Sequence, residues 1–288
     1  MKNKRLAIFF LILAAFSGGA MIPLVKIILK IMPPMTFTFF RFFVATAVIL
    51  PFVLREKPHL SECKKVLLPS IFASLNIIIF ILAIDRTSAN LGQTVYVMVP
   101  VIVVILSGLV LREKINGSKM IGVLLGVLGS LLLLFSKTVI GYSSTDNLLG
   151  GLMIFIGALF FSMYVILSKK IQKTFSPMFI SFSYFIMTTV LSLFFSLREV
   201  GGISTWYPKM NMTVVLYIAV VSLIGTSLYY FLQQLTIKYG SATLGSAINF
   251  VQPAFTFIWA SLLLGEKITT SFLVAAIMII IGAILVSK

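Results

Sequence analysis

The feature that most constrains this chain is a series of apolar stretches, each long enough to cross a lipid bilayer as a helix. A spanning helix needs about 20 mainly apolar residues at about 1.5 Å per residue. Ten stretches qualify: 6–29, 35–54, 66–84, 90–111, 119–135, 148–168, 178–197, 213–235, 241–264 and 270–287. Lipid offers the backbone no hydrogen-bond partner, and the stretches lack the alternation typical of a membrane barrel. The sequence therefore predicts an all-α integral membrane protein with ten transmembrane helices. Its longest loops are expected near 136–147 and 198–212.

Composition agrees with this prediction. Hydrophobic residues make up 60% of the chain and charged residues 10%, whereas soluble domains have about 45–50% and about 25%. The formal net charge of +16 would favour nucleic acid in a soluble protein, but in a membrane protein basic residues gather on cytoplasmic flanks. The lipid bilayer is thus an expected partner and nucleic acid is not. The single Cys63 and the single His59 give no reason to expect a metal or a cofactor.

The distribution of basic residues predicts the orientation in the cell (inner or plasma) membrane. With the N-terminus inside, 15 Lys and Arg fall in cytoplasmic segments and 7 in outer segments. Because positive residues are retained on the cytoplasmic side, both termini are expected in the cytoplasm.

An internal repeat divides the chain into two halves. Residues 82–134 align without a gap to 235–287, and the clearest pair is LREKI at 111–115 with LGEKI at 264–268. The early helices align at an offset of 143, and the later ones at 153. We therefore predict two five-helix domains, 1–140 and 141–288. Since five is odd, the second must enter the membrane inverted, an arrangement typical of secondary transporters with a substrate site at the repeat interface.

The repeated motif also resembles a known family. The run from Pro253 to Leu264-Gly265-Glu266-Lys267, and its first copy from Pro100 to Leu111-Arg112-Glu113-Lys114, resemble the EamA domain of the drug/metabolite transporter superfamily. Arg41-Phe42 resembles a basic position in that family's second helix. The resemblance covers essentially the whole chain and implies an exporter of amino acids or related small metabolites or drugs. Arg112 departs from the usual glycine, which we interpret as a surface change.

Catalytic and nucleotide-binding patterns are absent from the sequence. It has no Gly-x-Ser-x-Gly, His-Glu-x-x-His or Walker motif, so neither an enzyme nor an ATP-driven pump is expected. All seven acidic residues lie at predicted helix ends or in loops. Ion-coupled carriers commonly keep a carboxylate within the membrane, so we expect facilitated transport down a gradient. Three alternatives stay open: an uptake permease of the same fold, an intramembrane enzyme acting on lipid, and a channel or non-transporting sensor.

Polar side chains in the middle of predicted helices are the candidates for substrate binding. They are Asn76, Gln93, Tyr96, Tyr164, Tyr229, Gln233 and Asn249. The offset of 153 pairs Asn76 with Tyr229 and Tyr96 with Asn249, so the halves offer the same amide and phenol chemistry with the positions exchanged. Such groups suit an amphipathic, zwitterionic or neutral small molecule and not a metal ion. The alternative role for each is a hydrogen bond between helices.

A second group is predicted to have a gating or structural role. It comprises Arg41, Pro100, Glu113, Pro253 and Glu266. Each proline removes a helical hydrogen bond and permits a kink. The two glutamates end equivalent helices, either as a polar latch or as part of a turn. Arg41 lies about 9 Å into its helix, either with a functional or gating partner or in a snorkelled or structural role.

Two further expectations concern packing. Lys26 and Lys169 occupy equivalent positions at helix ends and are interpreted as snorkelling anchors. Gly122, Gly126 and Gly129 put small residues on one helix face, which permits close contact within or between protomers. The sequence leaves the oligomeric state open between monomer and homodimer.

Overall fold

The computed structural model describes residues 2–56, 63–86, 92, 95–113, 115–134, 148–264 and 270–287. Its α-helices are α1 (Lys2–Gly19), α2 (Met21–Leu29), α3 (Pro34–Glu56), α4 (Lys64–Arg86), α5 (Val99–Leu106), α6 (Gly117–Leu134), α7 (Leu148–Ile171), α8 (Pro177–Ser196), α9 (Ile203–Trp206), α10 (Met212–Ser222), α11 (Tyr229–Tyr239), α12 (Ala242–Ser246), α13 (Ile248–Leu264) and α14 (Thr270–Val286). Among these residues there is no strand. The predicted all-α class is confirmed.

Many of the helices have the length and apolarity of membrane spans. In the described ranges, 6 helical segments qualify: Asn3–Leu29, Pro34–Glu56, Lys64–Ile84, Leu149–Ile171, Pro177–Glu199 and Met212–Tyr239. Shorter apolar helices cover Val99–Leu111, Gly117–Leu132 and Leu273–Val286. Large apolar side chains point outward, with Leu109 at 74% exposure and Phe194 at 60%. An apolar exterior of this kind requires lipid as its solvent, so the chain is a multi-pass membrane protein.

Four predicted spans are interrupted. The first divides at Ala20, the fourth at Val97 and Met98, and the ninth at Ala247, while the eighth contains a π-helical segment, Leu223–Leu228. In that segment the hydroxyls of Thr226 and Ser227 donate to carbonyls five residues earlier, at 2.9 and 3.0 Å. These side-chain bonds stabilise the wider turn, and such bulges often occur at functional sites.

The loop predicted at 198–212 is wrong. The chain there forms a 3₁₀ helix at Leu197–Gly202, helix α9, and a second 3₁₀ helix at Tyr207–Lys209. Short helical turns satisfy backbone groups locally, and polar composition alone does not distinguish them from an irregular loop. The other predicted loop, 136–147, lies outside the described residues.

The two halves interleave. Helix α1 packs mainly against α11 and α13 of the second half, and α7 packs against α4 and α5 of the first. Helix α3 pairs with α8, and α6 pairs with α14. Each half therefore contributes to the core of the other, and the space between them is bounded by both.

Helices α3 and α8 are antiparallel, and a carboxylate lies at each end of the pair. Glu199 accepts hydrogen bonds from the backbone N–H groups of Met35 and Thr36 at the start of α3, at 3.1 and 2.7 Å. At the opposite end, Glu56 accepts from the hydroxyl of Ser176, the N-cap residue of α8. An anion at a helix N-terminus is favourable because of the unpaired N–H groups and the helix dipole.

The middle of the same pair joins equivalent residues of the two halves. The hydroxyls of Thr46 and Thr189 are 3.2 Å apart, and the ring centroids of Phe42 and Phe185 are 5.8 Å apart. Both pairs are separated by the repeat offset of 143, so residues that correspond in sequence also meet in space.

Lys26 and Lys169 make equivalent contacts, and their interpretation as lipid anchors is wrong. The Lys26 ammonium donates to the carbonyl of Ile84 at 2.9 Å. The Lys169 ammonium donates to the carbonyls of Ile237 at 2.7 Å and Gly240 at 3.0 Å. Both therefore cap the last carbonyls of a helix in which these groups lack intrahelical partners.

The glycine face of α6 packs within the chain, which confirms the packing interpretation. A Cβ added to Gly122 would lie 2.8 Å from the carbonyl oxygen of Gly282. A Cβ added to Gly282 would lie 2.8 Å from the backbone nitrogen of Gly126. Only glycine permits these backbones of α6 and α14 to approach so closely.

Candidate functional site

A cavity of about 110 Å³ lies between the two halves. A cavity needs about 10–15 Å³ to hold one water, so this one has room for several waters or a small solute. Its walls come from α1 to α4, the residues just before α5, α7, the π-helical segment, α11 and α13. The polar residues on these walls are Arg41, Asn76, Tyr96, Tyr229, Tyr230, Asn249 and Gln252.

Asn76 and Tyr96 form a bonded pair on the wall from the first half. The Asn76 amide donates to the Tyr96 hydroxyl and, at 2.8 Å, to the carbonyl of Gly157 in α7. Asn76 therefore connects α4 with a helix of the second half while it faces the cavity. Its amide oxygen is left to accept other hydrogen bonds.

The corresponding pair of the second half, Tyr229 and Asn249, lines the same cavity but is arranged differently. The Asn249 amide donates at 2.9 Å to the carbonyl of Ser246, which is three residues earlier and ends α12. The Tyr229 ring stands edge-on to Tyr230, with centroids 4.9 Å apart. A hydrogen bond joins the side chains of the first-half pair, Asn76 and Tyr96. The described structure has no such bond between Tyr229 and Asn249. The polar groups of the second pair are accordingly the more available to a solute.

Aromatic rings form a continuous layer beside the cavity. Successive contacts of 4.9–6.2 Å between ring centroids join Phe80, Tyr96, Phe161, Tyr164, Tyr184, Tyr230 and Tyr229. Edge-to-face and tilted pairs of this kind are favourable and hold their rings in fixed orientations. The cavity therefore combines a rigid aromatic wall with a few polar groups, as small-molecule sites usually do.

Arg41 also reaches the cavity, and it is hydrogen bonded to the π-helical segment. Its Nε donates to the Thr226 hydroxyl at 2.6 Å and its Nη2 to the Gly225 carbonyl at 3.3 Å. An added Cβ at Gly225 would lie 2.2 Å from the Met21 sulfur, so any larger residue there would have to displace the Met21 side chain. The alternative of a snorkelled side chain is wrong because the guanidinium is directed into the protein.

The two prolines occupy different helical positions. Pro253 lies within α13 and lines the cavity. It has no N–H, so the carbonyl of Asn249 beside the cavity loses its helical partner. Pro100 is in the first turn of α5, a position where helices accept proline without a kink. The interruption of the fourth span lies just before Pro100, at Val97 and Met98, and the freed carbonyl expected at Pro253 lies next to the site.

Tyr164 and Gln233 are not on the cavity wall. The Tyr164 hydroxyl accepts a hydrogen bond from Gln234 at 2.7 Å, and its ring lies one aromatic layer behind the site. The Gln233 side chain is fully buried, and neither of its polar atoms has a partner among the described residues. The sequence offered no means to distinguish Gln233 from its neighbour, because both are amides in one apolar helix.

The three remaining predicted residues do not appear on the cavity wall. Gln93 and Glu266 are outside the described residues. Glu113 follows a π-helical turn, Ser107–Leu111, at the end of the fourth span, and its N–H donates to the Ser107 carbonyl at 3.1 Å. Its carboxylate interacts electrostatically with Lys169, the residue that caps α11. Glu113 is thus part of a helix-end cluster between the halves, far from the cavity lining.

Two polar cavity residues were not among the predicted site residues. Tyr230 packs edge-on against Tyr229, and the Gln252 amide donates to the Gly18 carbonyl at 3.1 Å. Gln252 follows Asn249 by three residues and therefore shares its helix face. That spacing was the available signal for Gln252.

Comparison with known proteins places the chain among transporters. The sequence profile of the EamA-like transporter family matches residues 5–135 and 148–288. An uncharacterized transporter of Archaeoglobus fulgidus is 25% identical over 96% of this chain and 84% of its own length. One of Clostridium kluyveri is 24% identical over 70% of this chain, and the match spans 65% of that protein. A WAT1-related protein of Arabidopsis thaliana is 21% identical over 77% of this chain and 70% of its own.

A solved structure supports the fold independently. A protein of known crystal structure superposes with a TM-score of 0.76, covering 99% of this chain and 96% of its own, at 15% identity. At that identity the likeness concerns the fold alone. It shows that the helix arrangement described above occurs in another protein over nearly its full length.

Proposed function

The chain belongs to the EamA-like transporter family, and on that premise we propose that it is a secondary transporter that carries a small metabolite through the central cavity. The observation that supports this most is the composition of the cavity wall. Both halves contribute an amide and a phenol to it, at positions related by the repeat. A site between two inverted halves is the arrangement that allows access to alternate between the two sides.

The proposal includes ten transmembrane helices in two inverted five-helix repeats, divided near residue 140. Several contacts support it. Lys26 and Lys169 cap equivalent helices, and the described carboxylates at the ends of α3 and α8 cap each other's helix. Antiparallel pairing of α3 with α8 is what an inverted repeat requires of two equivalent helices, and α6 with α14 gives a second case.

Amino acids or related small metabolites are the proposed substrates, and export across the cell membrane is the proposed direction. Uptake by the same fold is the main alternative. None of the described lining residues is acidic, which favours facilitated movement down a gradient over coupling to protons or sodium. The basic-residue count favours cytoplasmic termini.

Counterflow in proteoliposomes tests the proposal. Vesicles containing the protein are preloaded with one unlabelled solute and diluted into the same solute in radiolabelled form, across a panel of amino acids, amines, sugars and nucleosides. A carrier accumulates label transiently because unlabelled solute leaves as labelled solute enters. Empty vesicles are the control. A leak that equilibrates every solute without transient accumulation would indicate a channel, and no flux of any solute would refute the proposal.

A further inference from the structure

Arg41 is a charged residue deep in the membrane region. It lies seven residues beyond Pro34, the first residue of α3, or about 10 Å along the helix axis. Only 8% of its surface is exposed, and it lines the cavity. A charge at such depth is costly and is usually retained where it faces a partner or a polar cavity.

The bonds that Arg41 makes leave most of its donors unused. A guanidinium has five N–H donors, and the structure assigns one each to Thr226 and Gly225. Both acceptors are neutral. Of the carboxylates whose side chains are described, Glu56 and Glu199 cap α8 and α3, and Glu113 lies beside Lys169. None of these three carboxylates therefore pairs with the positive charge of Arg41.

A purely structural role explains this arrangement poorly. Two neutral acceptors on a π-helical segment need only a neutral donor, which glutamine would supply without the cost of burying a charge. The corresponding position of the second half carries no charge. At the offset of 143, Tyr184 stands where Arg41 stands in the first half, and its hydroxyl neighbours that of Tyr230.

We propose that Arg41 binds the carboxylate of the transported solute, so that the substrates are small molecules with one carboxylate, α-amino acids among them. This inference rests on the proposed function and specifies its substrate class. A guanidinium matches the planar carboxylate with two parallel hydrogen bonds. Arg41 is the one charged residue among the described residues that line the cavity. A single positive charge balances a carboxylate, whereas a phosphate monoester carries nearly two negative charges.

The remaining groups of the cavity suit the other parts of such a solute. The Asn249 carbonyl lacks a helical partner because of Pro253, and the Tyr229 hydroxyl is a second acceptor on the cavity lining. Both can accept from an ammonium group, and the aromatic layer can contact an apolar side chain. Because Arg41 has no counterpart in the second half, the two ends of the solute are distinguished.

Ligand-induced thermal stabilisation of the purified protein tests the assignment without relying on transport. The probes are the twenty common L-amino acids and, for each that stabilises, its carboxamide, which has the same number of non-hydrogen atoms but no carboxylate. We expect at least one free acid to raise the unfolding temperature and its amide to give no shift. In Arg41→Gln the dissociation constant of that acid should rise at least tenfold, and Arg41→Lys should retain part of the affinity. Arg5→Gln, the same change at an exposed residue of α1, is the matched control.

Several results would overturn the assignment. They are equal stabilisation by acid and amide, an unchanged dissociation constant in Arg41→Gln, no shift from any free acid, or the same shift from sodium chloride at equal ionic strength. If Arg41→Gln fails to fold, two comparisons still test the assignment. They are the acid against its amide in the wild-type protein, and the affinity of Arg41→Lys for the acid against that of the wild type. Counterflow of a solute without a carboxylate would support the proposed transport function but refute carboxylate binding by Arg41.

Discussion

The two asparagines of the cavity should respond differently to the same substitution. Asn76 makes one hydrogen bond to Tyr96 and one to the carbonyl of Gly157 in α7, so it joins separate elements. Asn249 bonds only the Ser246 carbonyl three residues away. A hydrogen bond between membrane helices contributes about 0.6 kcal/mol on average. Asn76→Ala should therefore destabilise the fold by about 1.2 kcal/mol, and Asn249→Ala, which loses one bond between near neighbours in the chain, by at most about 0.6 kcal/mol.

The two alanine substitutions should also differ in how their effect on transport relates to their effect on stability. Both residues line the cavity, but in Asn249→Ala the loss of a solute contact is expected with little change in the fold. A lost contact worth about 1.4 kcal/mol raises the half-saturation concentration tenfold. We expect a several-fold rise for Asn249→Ala with nearly wild-type unfolding, and weaker transport together with lower stability for Asn76→Ala.

The measurements are unfolding by dodecyl sulfate in mixed micelles and counterflow kinetics over a range of solute concentrations. Tyr229→Phe, which removes only a hydroxyl from the equivalent of Asn76, extends the comparison to the second half. Equal destabilisation by the two alanine substitutions would refute the bonding argument. Wild-type kinetics in both Asn249→Ala and Tyr229→Phe would show that these residues serve packing and not binding.

Three further predictions follow from the backbone, the repeat and the charges. Arg112 has φ of 53° in the left-handed region, where glycine is favoured. Arg112→Gly should therefore raise the free energy of unfolding by about 0.5–1 kcal/mol. A loss of stability in the same micelle titration would contradict this prediction. A reporter fused after Lys288 should be cytoplasmic and one inserted in 136–147 external, and the same side for both would exclude the five-plus-five arrangement. Counterflow should proceed without an imposed proton or sodium gradient, and a strict requirement for either gradient would show ion coupling.

The helical class and much of the cavity could be predicted because both depend on patterns in the sequence itself, namely apolar length and the internal repeat. Apolar length predicts spans. The offset of 153 predicted that Asn76, Tyr96, Tyr229 and Asn249 are related, and the structure brings all four to one cavity. Their role in binding stays a prediction.

Other features could not be predicted, because they depend on backbone groups or on small rotations of a helix. The partners of Lys26 and Lys169 are carbonyls, which every residue has, so no side chain in the sequence marks them. Gln233 and Gln234 differ by about 100° around one helix. Because of that rotation, the Gln234 amide bonds Tyr164 and Ser168, whereas the Gln233 amide has no partner among the described residues. The π-helical segment just before α11 also changes which residues of the helix face the cavity.

The places where the two halves differ matter as much as those where they agree. In an inverted repeat, the two-fold operation exchanges the inward-open and outward-open arrangements, so two identical halves would make these states equal in energy. Only unlike residues at corresponding positions can then favour one state. Arg41 lines the cavity, whereas the corresponding Tyr184 lies behind it in the aromatic layer. Arg112 has a backbone conformation that favours glycine, and the second copy of its motif has Gly265 at the corresponding position. In the proposed mechanism, the first difference distinguishes the two ends of the solute, and the second biases the energies of the two states without contacting the solute.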